Sequence, residues 1–169
     1  MTIRSTESRR APLYTAEERV RRDSTIWTLV QGILAPVQFL AFGVSVVLVM
    51  RYLATGDGYM AATVSILIKT GLLYTIMVTG AIWEKVVFGQ YLLAPAFFWE
   101  DVFSFVVIAL HTAYIIALFT NWLTPQGLMY LALAAYATYA VNAAQFIWKL
   151  RMARLDAARD AAPDAQVTA

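Results

Sequence analysis

The chain has 169 residues, of which 60% are hydrophobic, 14% are charged and none is cysteine. This composition excludes an ordinary soluble domain, and the absence of cysteine excludes disulfides, thiolate metal sites and cysteine nucleophiles. The formal net charge of +2 is small, and most arginines lie in two clusters that flank long apolar runs and contain interleaved acids. That arrangement favours a membrane protein over a nucleic-acid-binding protein.

The first 23 residues form a basic N-terminal segment with six arginines. Within it, Thr15 and Glu18 have the spacing of a capping box, in which each side chain bonds the backbone amide of the other residue. We therefore predict a short amphipathic helix over residues 16–23, lying in the membrane interface.

Four apolar runs follow, and each is long enough to cross a bilayer, since about 20 helical residues span its hydrocarbon core. We predict spans over about residues 26–50, 59–83, 102–122 and 127–148, within a membrane domain of residues 24–150. The expected fold class is an all-α, integral membrane four-helix bundle. Residues 151–169 begin with basic side chains and continue with small and polar ones, which predicts a basic and then disordered tail.

The placement of lysine and arginine predicts the orientation of the bundle. Of the thirteen such residues, all but Lys69 and Arg51 fall on the side that holds both termini. Because cytoplasmic segments of membrane proteins are enriched in lysine and arginine, we expect both termini to be cytoplasmic.

The segment between spans two and three, residues 84–101, reads EKVVFGQYLLAPAFFWED and is charged at both ends and apolar in between. Gly89 and Pro95 interrupt any regular structure there. We expect a hydrophobic segment that lies in the interface or re-enters the membrane. It is either a plain linker or a lid over a site that opens to the cytoplasmic leaflet.

Three carboxylates border this segment. Glu100 and Asp101 lie at the N-terminal end of span three, where the helix dipole favours anions, so capping alone could explain them. Glu84 ends span two, where the dipole disfavours a negative charge. The contrast makes Glu84 a candidate neutral acid, with Glu100 or Asp101 as the ionised base of an acid/base pair.

Two more ionisable side chains, Lys69 and His111, lie about ten residues into their spans, near the bilayer midplane. A lysine at that depth must face a partner or a polar cavity. For His111, a structural role as a hydrogen-bonded interior histidine and a functional role explain the sequence equally well. The amide side chains within the spans have interhelical hydrogen bonding as their default role: they are Gln31, Gln38, Asn142 and Gln145.

Three classes of protein are compatible with these residues. The first is a membrane enzyme for a lipophilic substrate, which would use the carboxylates and His111. The second is a pigment- or cofactor-binding helper, in which His111 would ligate a metal macrocycle. The third is a transporter or channel subunit, in which Lys69 would be a coupling charge.

Longer stretches of the sequence resemble the 3-vinyl (bacterio)chlorophyllide hydratase family over about residues 12–155. The stretches that carry the resemblance are Asp23 with residues 27–40 (WTLVQGILAPVQFL), 51–58 (RYLATGDG), 69–85 (KTGLLYTIMVTGAIWEK), 86–101 (VVFGQYLLAPAFFWED), 109–114 (ALHTAY) and 134–150 (AAYATYAVNAAQFIWKL).

The resemblance implies a hydro-lyase of bacteriochlorophyll synthesis in the inner or intracytoplasmic photosynthetic membrane of a bacterium. It would add water across the C3 vinyl group of a magnesium tetrapyrrole, giving a 1-hydroxyethyl product, with no cofactor and no metal site of its own. Its expected partners are this substrate and the lipid bilayer, and we expect no nucleic-acid partner. A second copy of the chain and other enzymes of the same synthesis are further candidate partners. A carrier that binds the pigment without changing it is the alternative.

This chemistry needs one acid and one base on either side of the vinyl group, and we assign candidate roles on that ground. Glu84 is the candidate acid, and Glu100 or Asp101 is the candidate base that positions water. His111 would either ligate the substrate magnesium axially or act in the proton path. The candidate substrate-binding residues are Lys69, the amides Gln31, Gln38, Asn142 and Gln145, and the ring-stacking aromatics Phe97, Phe98 and Trp99.

Overall fold

A computed structural model describes residues 13–161, and their side chains as far as residue 155. Five helices account for nearly all of this range: they are α1 (Ala16–Ser24), α2 (Ile26–Thr55), α3 (Tyr59–Phe88), α4 (Phe98–Thr120) and α5 (Pro125–Ala161). The helices α2 to α5 are each long and apolar enough to cross a membrane. The expectation of an all-helical protein with four helices that could span a membrane is therefore confirmed. The predicted basic segment before residue 13 lies outside the described residues. Of the tail predicted over residues 151–169, residues 151–161 continue α5 as helix, and the rest lies outside the described residues.

Helix α1 begins with the predicted capping box. The backbone N–H of Glu18 donates to the Thr15 hydroxyl at 3.2 Å, and the N–H of Thr15 donates to the Glu18 carboxylate at 2.7 Å. At its other end, Arg21 donates from Nε to the backbone carbonyl of Val87 at 2.8 Å. This bond satisfies a carbonyl in the last turn of α3 and fixes α1 against that end of the bundle.

The four long helices form two antiparallel hairpins, α2 with α3 and α4 with α5. Gly56 and Gly58 make the first turn with φ angles of 78° and 88°, which a residue with a Cβ adopts only at a cost. The hairpins meet in a core that includes Val49, Ile66 and Met129.

The bundle is apolar outside and locally polar inside. Large apolar side chains such as Leu40 and Phe119 are exposed, whereas Gln38, Lys69 and His111 are almost completely buried. This reversal of the soluble pattern is expected where lipid surrounds the helices, because intramembrane polar groups face the bundle interior.

The segment between spans two and three is shorter than its sequence suggests. Helix α3 continues to Phe88, so Glu84 is helical, and α4 begins at Phe98, so only residues 89–97 lie outside helices. Gly89 ends α3 with a φ of 85° and an N–H bonded to the carbonyl of Lys85. The interruption expected at Gly89 is therefore confirmed, and its physical cause is a left-handed helix C-cap.

Candidate functional site

A cavity of about 660 Å³ occupies one end of the bundle. Its walls come from the first half of α2, the second half of α3, the start of α4 and the second half of α5, with α1 at the mouth. The volume lies within the range of small-molecule and cofactor sites, and the wall is mainly apolar, as is usual for such sites. Its polar side chains within the bundle include Gln31, Gln38, Glu84, Asp101, Ser104 and Asn142.

A pair of carboxyl groups lies in this wall. Glu84 from α3 and Asp101 from α4 are both buried, and their carboxyl groups are close enough to hydrogen-bond when one is protonated. Two negative charges at that separation repel each other, so the pair is most favourable when it holds one proton between its members. Two carboxyl groups placed in this way can act as an acid and a base at one site.

The segment of residues 89–97 holds this carboxyl pair. The N–H of Leu93 donates to Asp101 at 2.6 Å, and the N–H of Ala94 donates to Glu84 at 3.2 Å. Leu92 and Leu93 reach this conformation with φ angles of 55° and 57°, in the left-handed region that costs a residue with a side chain about 1 kcal/mol or more. The strained backbone thus lies where it aims two consecutive amides at the two carboxyl groups.

Glu100, the alternative candidate base, is oriented away from the cavity. Its carboxylate accepts a charge-assisted hydrogen bond from Lys149 of α5 at 2.6 Å, and both residues line a separate shallow depression. Because neighbouring helical residues point about 100° apart, Glu100 and Asp101 face different surroundings. The structure places Asp101, and not Glu100, beside Glu84.

Lys69 and His111 contact each other but do not line the cavity. The imidazole Nδ1 bonds the carbonyl of Val107 at 2.8 Å, so in the neutral ring Nδ1 carries the hydrogen and Nε2 accepts. Lys69 Nζ donates to that Nε2 at 3.1 Å, and it also lies 3.7 Å from the centroid of the Tyr139 ring. Tyr139 lines the cavity, so Lys69 and His111 form a layer behind this part of its wall. Both ring nitrogens of His111 are engaged within the protein, and His111 is not among the residues that line the cavity.

The four candidate amides differ in their partners. Gln31 donates from Nε2 to the Thr79 hydroxyl at 2.8 Å, and Asn142 donates to the Ser104 hydroxyl at 2.8 Å while its Oδ1 is unpaired. Gln38 is 1% exposed, and neither its Nε2 nor its Oε1 has a partner in the described structure. Gln145 lies at the shallow depression beside Glu100 instead of the cavity.

The three candidate aromatics are also divided. Phe97 is buried in the cavity wall and stacks on Phe146 of α5, with ring centroids 5.8 Å apart. Phe98 and Trp99 are 42% and 67% exposed, point away from the cavity and are not placed to stack on a bound ring there.

Several wall and mouth residues were not predicted from the sequence. Tyr14, Arg19 and Arg22 from the N-terminal region and Arg154 from α5 line the cavity at its mouth. Burial raises the pKa of the Tyr14 hydroxyl above its ordinary value, and the nearby Arg22 opposes that effect, so the phenol is neutral near pH 7. The i, i+3 spacing of Arg19 and Arg22 was the one sequence signal that could have indicated a shared face.

The fold and the cavity define the class of protein: a bundle of four helices, each long and apolar enough to cross a membrane, with a buried carboxyl pair in the wall of a mainly apolar cavity. A family model described as 2-vinyl bacteriochlorophyllide hydratase (BCHF) matches residues 14–152. The chain belongs to this family. The names 2-vinyl and 3-vinyl denote the same substituent under two numbering conventions of the macrocycle.

Two relatives support this membership. The chain is 75% identical over 152 residues to the 2-vinyl bacteriochlorophyllide hydratase of Rhodobacter capsulatus, an overlap of 89% of this chain and 88% of the relative. It is 77% identical over 145 residues to the protein of the same name from Cereibacter sphaeroides, with 85% and 89% covered. No solved structure matches the chain at a significant level.

Proposed function

We propose that this protein adds water across the vinyl group of a bacteriochlorophyllide, and that Glu84 and Asp101 carry the reaction. Family membership at this level of identity makes the chain a hydratase of bacteriochlorophyll synthesis. The observation that supports the residue assignment is the contact between two buried carboxyl groups in the wall of a cavity suited to a large apolar ligand.

The reaction divides between the two carboxyl groups. Glu84, as the neutral acid, donates its proton to the terminal carbon of the vinyl group, whose π electrons form the new C–H bond. The adjacent carbon becomes a cation that the conjugated macrocycle stabilises. A water oxygen attacks that carbon, and Asp101 accepts the proton that the water releases.

The contact between the carboxyl groups also restores the starting protonation state of the site. After one turnover Glu84 is ionised and Asp101 is protonated, so the proton must return to Glu84 before the next cycle. Since the two groups are within hydrogen-bonding distance, it can transfer directly without an outside donor. The amides of Leu93 and Ala94 stabilise whichever carboxylate is ionised.

The other candidate residues take supporting roles in this proposal. Gln31, Gln38, Asn142 and Phe97 contact the bound pigment. The residues that do not line the cavity hold or surround the site: Glu100, Lys149, Gln145, Phe98 and Trp99. Lys69 and His111 position Tyr139 from behind the wall.

We place the protein in the bacterial inner or intracytoplasmic photosynthetic membrane, with both termini and the cavity mouth on the cytoplasmic side. In this arrangement α1 and residues 89–97 lie in the interface, residues 24–150 form the membrane domain, and the pigment reaches the site from the cytoplasmic leaflet. The exposed apolar helix faces leave room for a second copy or for other enzymes of the synthesis.

The test is to incubate the purified protein with the vinyl pigment and look for a product heavier by one water. We expect this product with the natural chain and its loss in Glu84→Gln and Asp101→Asn, while Glu100→Gln keeps a comparable turnover number. Pigment bound but unchanged by the natural chain would support a carrier and refute the hydratase.

A further inference from the structure

The mouth of the cavity carries positive charge from two separate parts of the chain. Arg19 and Arg22 lie one turn apart on α1, and Arg154 approaches from the C-terminal part of α5, about 130 residues later in the sequence. We call these three residues the arginine rim. All three line the same cavity that contains the carboxyl pair.

Contacts with the bundle fix the α1 side of the rim. The Tyr14 ring stacks on Phe88 with centroids 5.8 Å apart, and the Arg22 guanidinium lies 4.8 Å above the Tyr14 ring. Arg21 ties the same helix to the end of α3 through Val87. The guanidinium groups of Arg19 and Arg22 are therefore presented by a docked helix, which lowers the entropy cost of holding a ligand there.

The residues that line the cavity are separated by charge sign. Arg22 is ion-paired at 2.8 Å with Asp23, whose carboxylate lies outside the lining, so the three arginines keep a net positive charge. Arginines stand at the mouth, whereas the carboxyl pair lies in the wall where α3 and α4 meet. An anionic group on a ligand is attracted to the rim and repelled by the pair, so a ligand with one carboxylate has one favoured orientation.

A chlorophyllide differs from the esterified pigment by such a carboxylate, at the end of its propionate side chain. Building on the proposed function, we infer that the arginine rim binds this carboxylate and thereby turns the vinyl edge of the macrocycle toward Glu84 and Asp101. The rim makes the enzyme selective for the free acid over its ester. Arginine suits this role because it is always charged and can bond both oxygens of a carboxylate.

The test compares the vinyl pigment as the free acid with its methyl ester, which has the same ring and vinyl group but no charge. We expect the natural protein to bind the free acid about tenfold or more tightly, as charge-assisted hydrogen bonds are typically worth that factor. A triple variant, Arg19→Gln, Arg22→Gln and Arg154→Gln, should raise KM for the free acid to the level of the ester, with little change in kcat for either.

Arg151→Gln is the matched control, because Arg151 lies one turn from Arg154 on α5 but does not line the cavity. It should keep the full preference for the free acid. If the triple variant does not fold, the salt dependence of the natural protein replaces it: high salt should reduce the preference, since a rim open to water is screened.

Equal binding of acid and ester by the natural protein would overturn the inference, and the rim would then serve the phosphates of lipid headgroups. An equal loss for both pigments in the triple variant would overturn it too. Because binding is measured by pigment fluorescence, a preference for the acid without any hydration would support the rim and refute only the proposed reaction.

Discussion

Two glutamines on helix α2 give opposite predictions for the same substitution. Gln38 is buried in the cavity wall, and neither polar atom of its amide has a protein partner among the described residues. Gln31 lies seven residues earlier, lines the same cavity and donates to Thr79 at 2.8 Å. Methionine has nearly the shape of glutamine but no hydrogen-bonding requirement, so it isolates the cost of the amide.

A buried polar group without a partner costs about 1–3 kcal/mol, whereas a formed hydrogen bond contributes about 0.5–1.5 kcal/mol. Gln38→Met should therefore raise the free energy of unfolding of the empty protein by about 1 kcal/mol or more. Gln31→Met should lower it by about 1 kcal/mol. The assay is reversible unfolding in mixed micelles without pigment.

Pigment binding supplies the second half of this prediction. If the Gln38 amide hydrogen-bonds a polar group of the bound substrate, Gln38→Met should bind pigment more weakly. One lost hydrogen bond corresponds to about a tenfold weaker affinity. A Gln38→Met protein that is destabilised would refute the claim that the amide is unpaired. One that is stabilised and binds pigment normally would remove Gln38 from the substrate site.

Three further predictions concern the backbone, the inner layer and the mouth. Leu93→Gly should keep turnover and change stability by less than about 1 kcal/mol, because glycine tolerates the observed φ of 57°. Leu93→Val should destabilise the protein and reduce kcat. Equal turnover in both variants would contradict a positioning role for the Leu93 amide. Lys69→Met and His111→Leu should each be destabilising, with the double variant less destabilised than the sum by about 1 kcal/mol, and all three should still bind the magnesium pigment. Loss of pigment binding in His111→Leu and in the double variant, with binding kept in Lys69→Met, would assign His111 as the magnesium ligand. The preference for free acid over ester should persist from pH 6 to pH 9, because arginine stays charged and burial keeps the pKa of Tyr14 above its ordinary value of 10.0. A preference that disappears within this range would exclude the arginines as its source.

Features with local sequence signals could be predicted. The capping box of Thr15 and Glu18 and the helix stop at Gly89 depend on residues a few positions apart, and the four long helices follow from uninterrupted apolar runs. Lys69 and His111 were expected at equal depth, and the structure places them in contact.

The rotation of each helix about its axis could not be predicted. Spans that are apolar on all sides have no amphipathic stripe to show which face turns inward. For that reason the sequence could not separate Asp101, which faces Glu84, from Glu100, which faces Lys149. It also gave no sign that Phe98 and Trp99 point outward, or that Arg154 approaches the same cavity as α1.

The most direct test of the central claim is the turnover number of Glu84→Gln, Asp101→Asn and the double variant, with pigment binding measured in parallel. If the two carboxyl groups act as one acid/base unit, each single variant should lose about 10²-fold or more in kcat, and the double variant should lose little beyond that, because either change already disables the unit. Binding should stay within a few-fold of the natural protein. Substantial turnover in either single variant, with the protein folded and the pigment bound, would contradict the assignment of the reaction to Glu84 and Asp101.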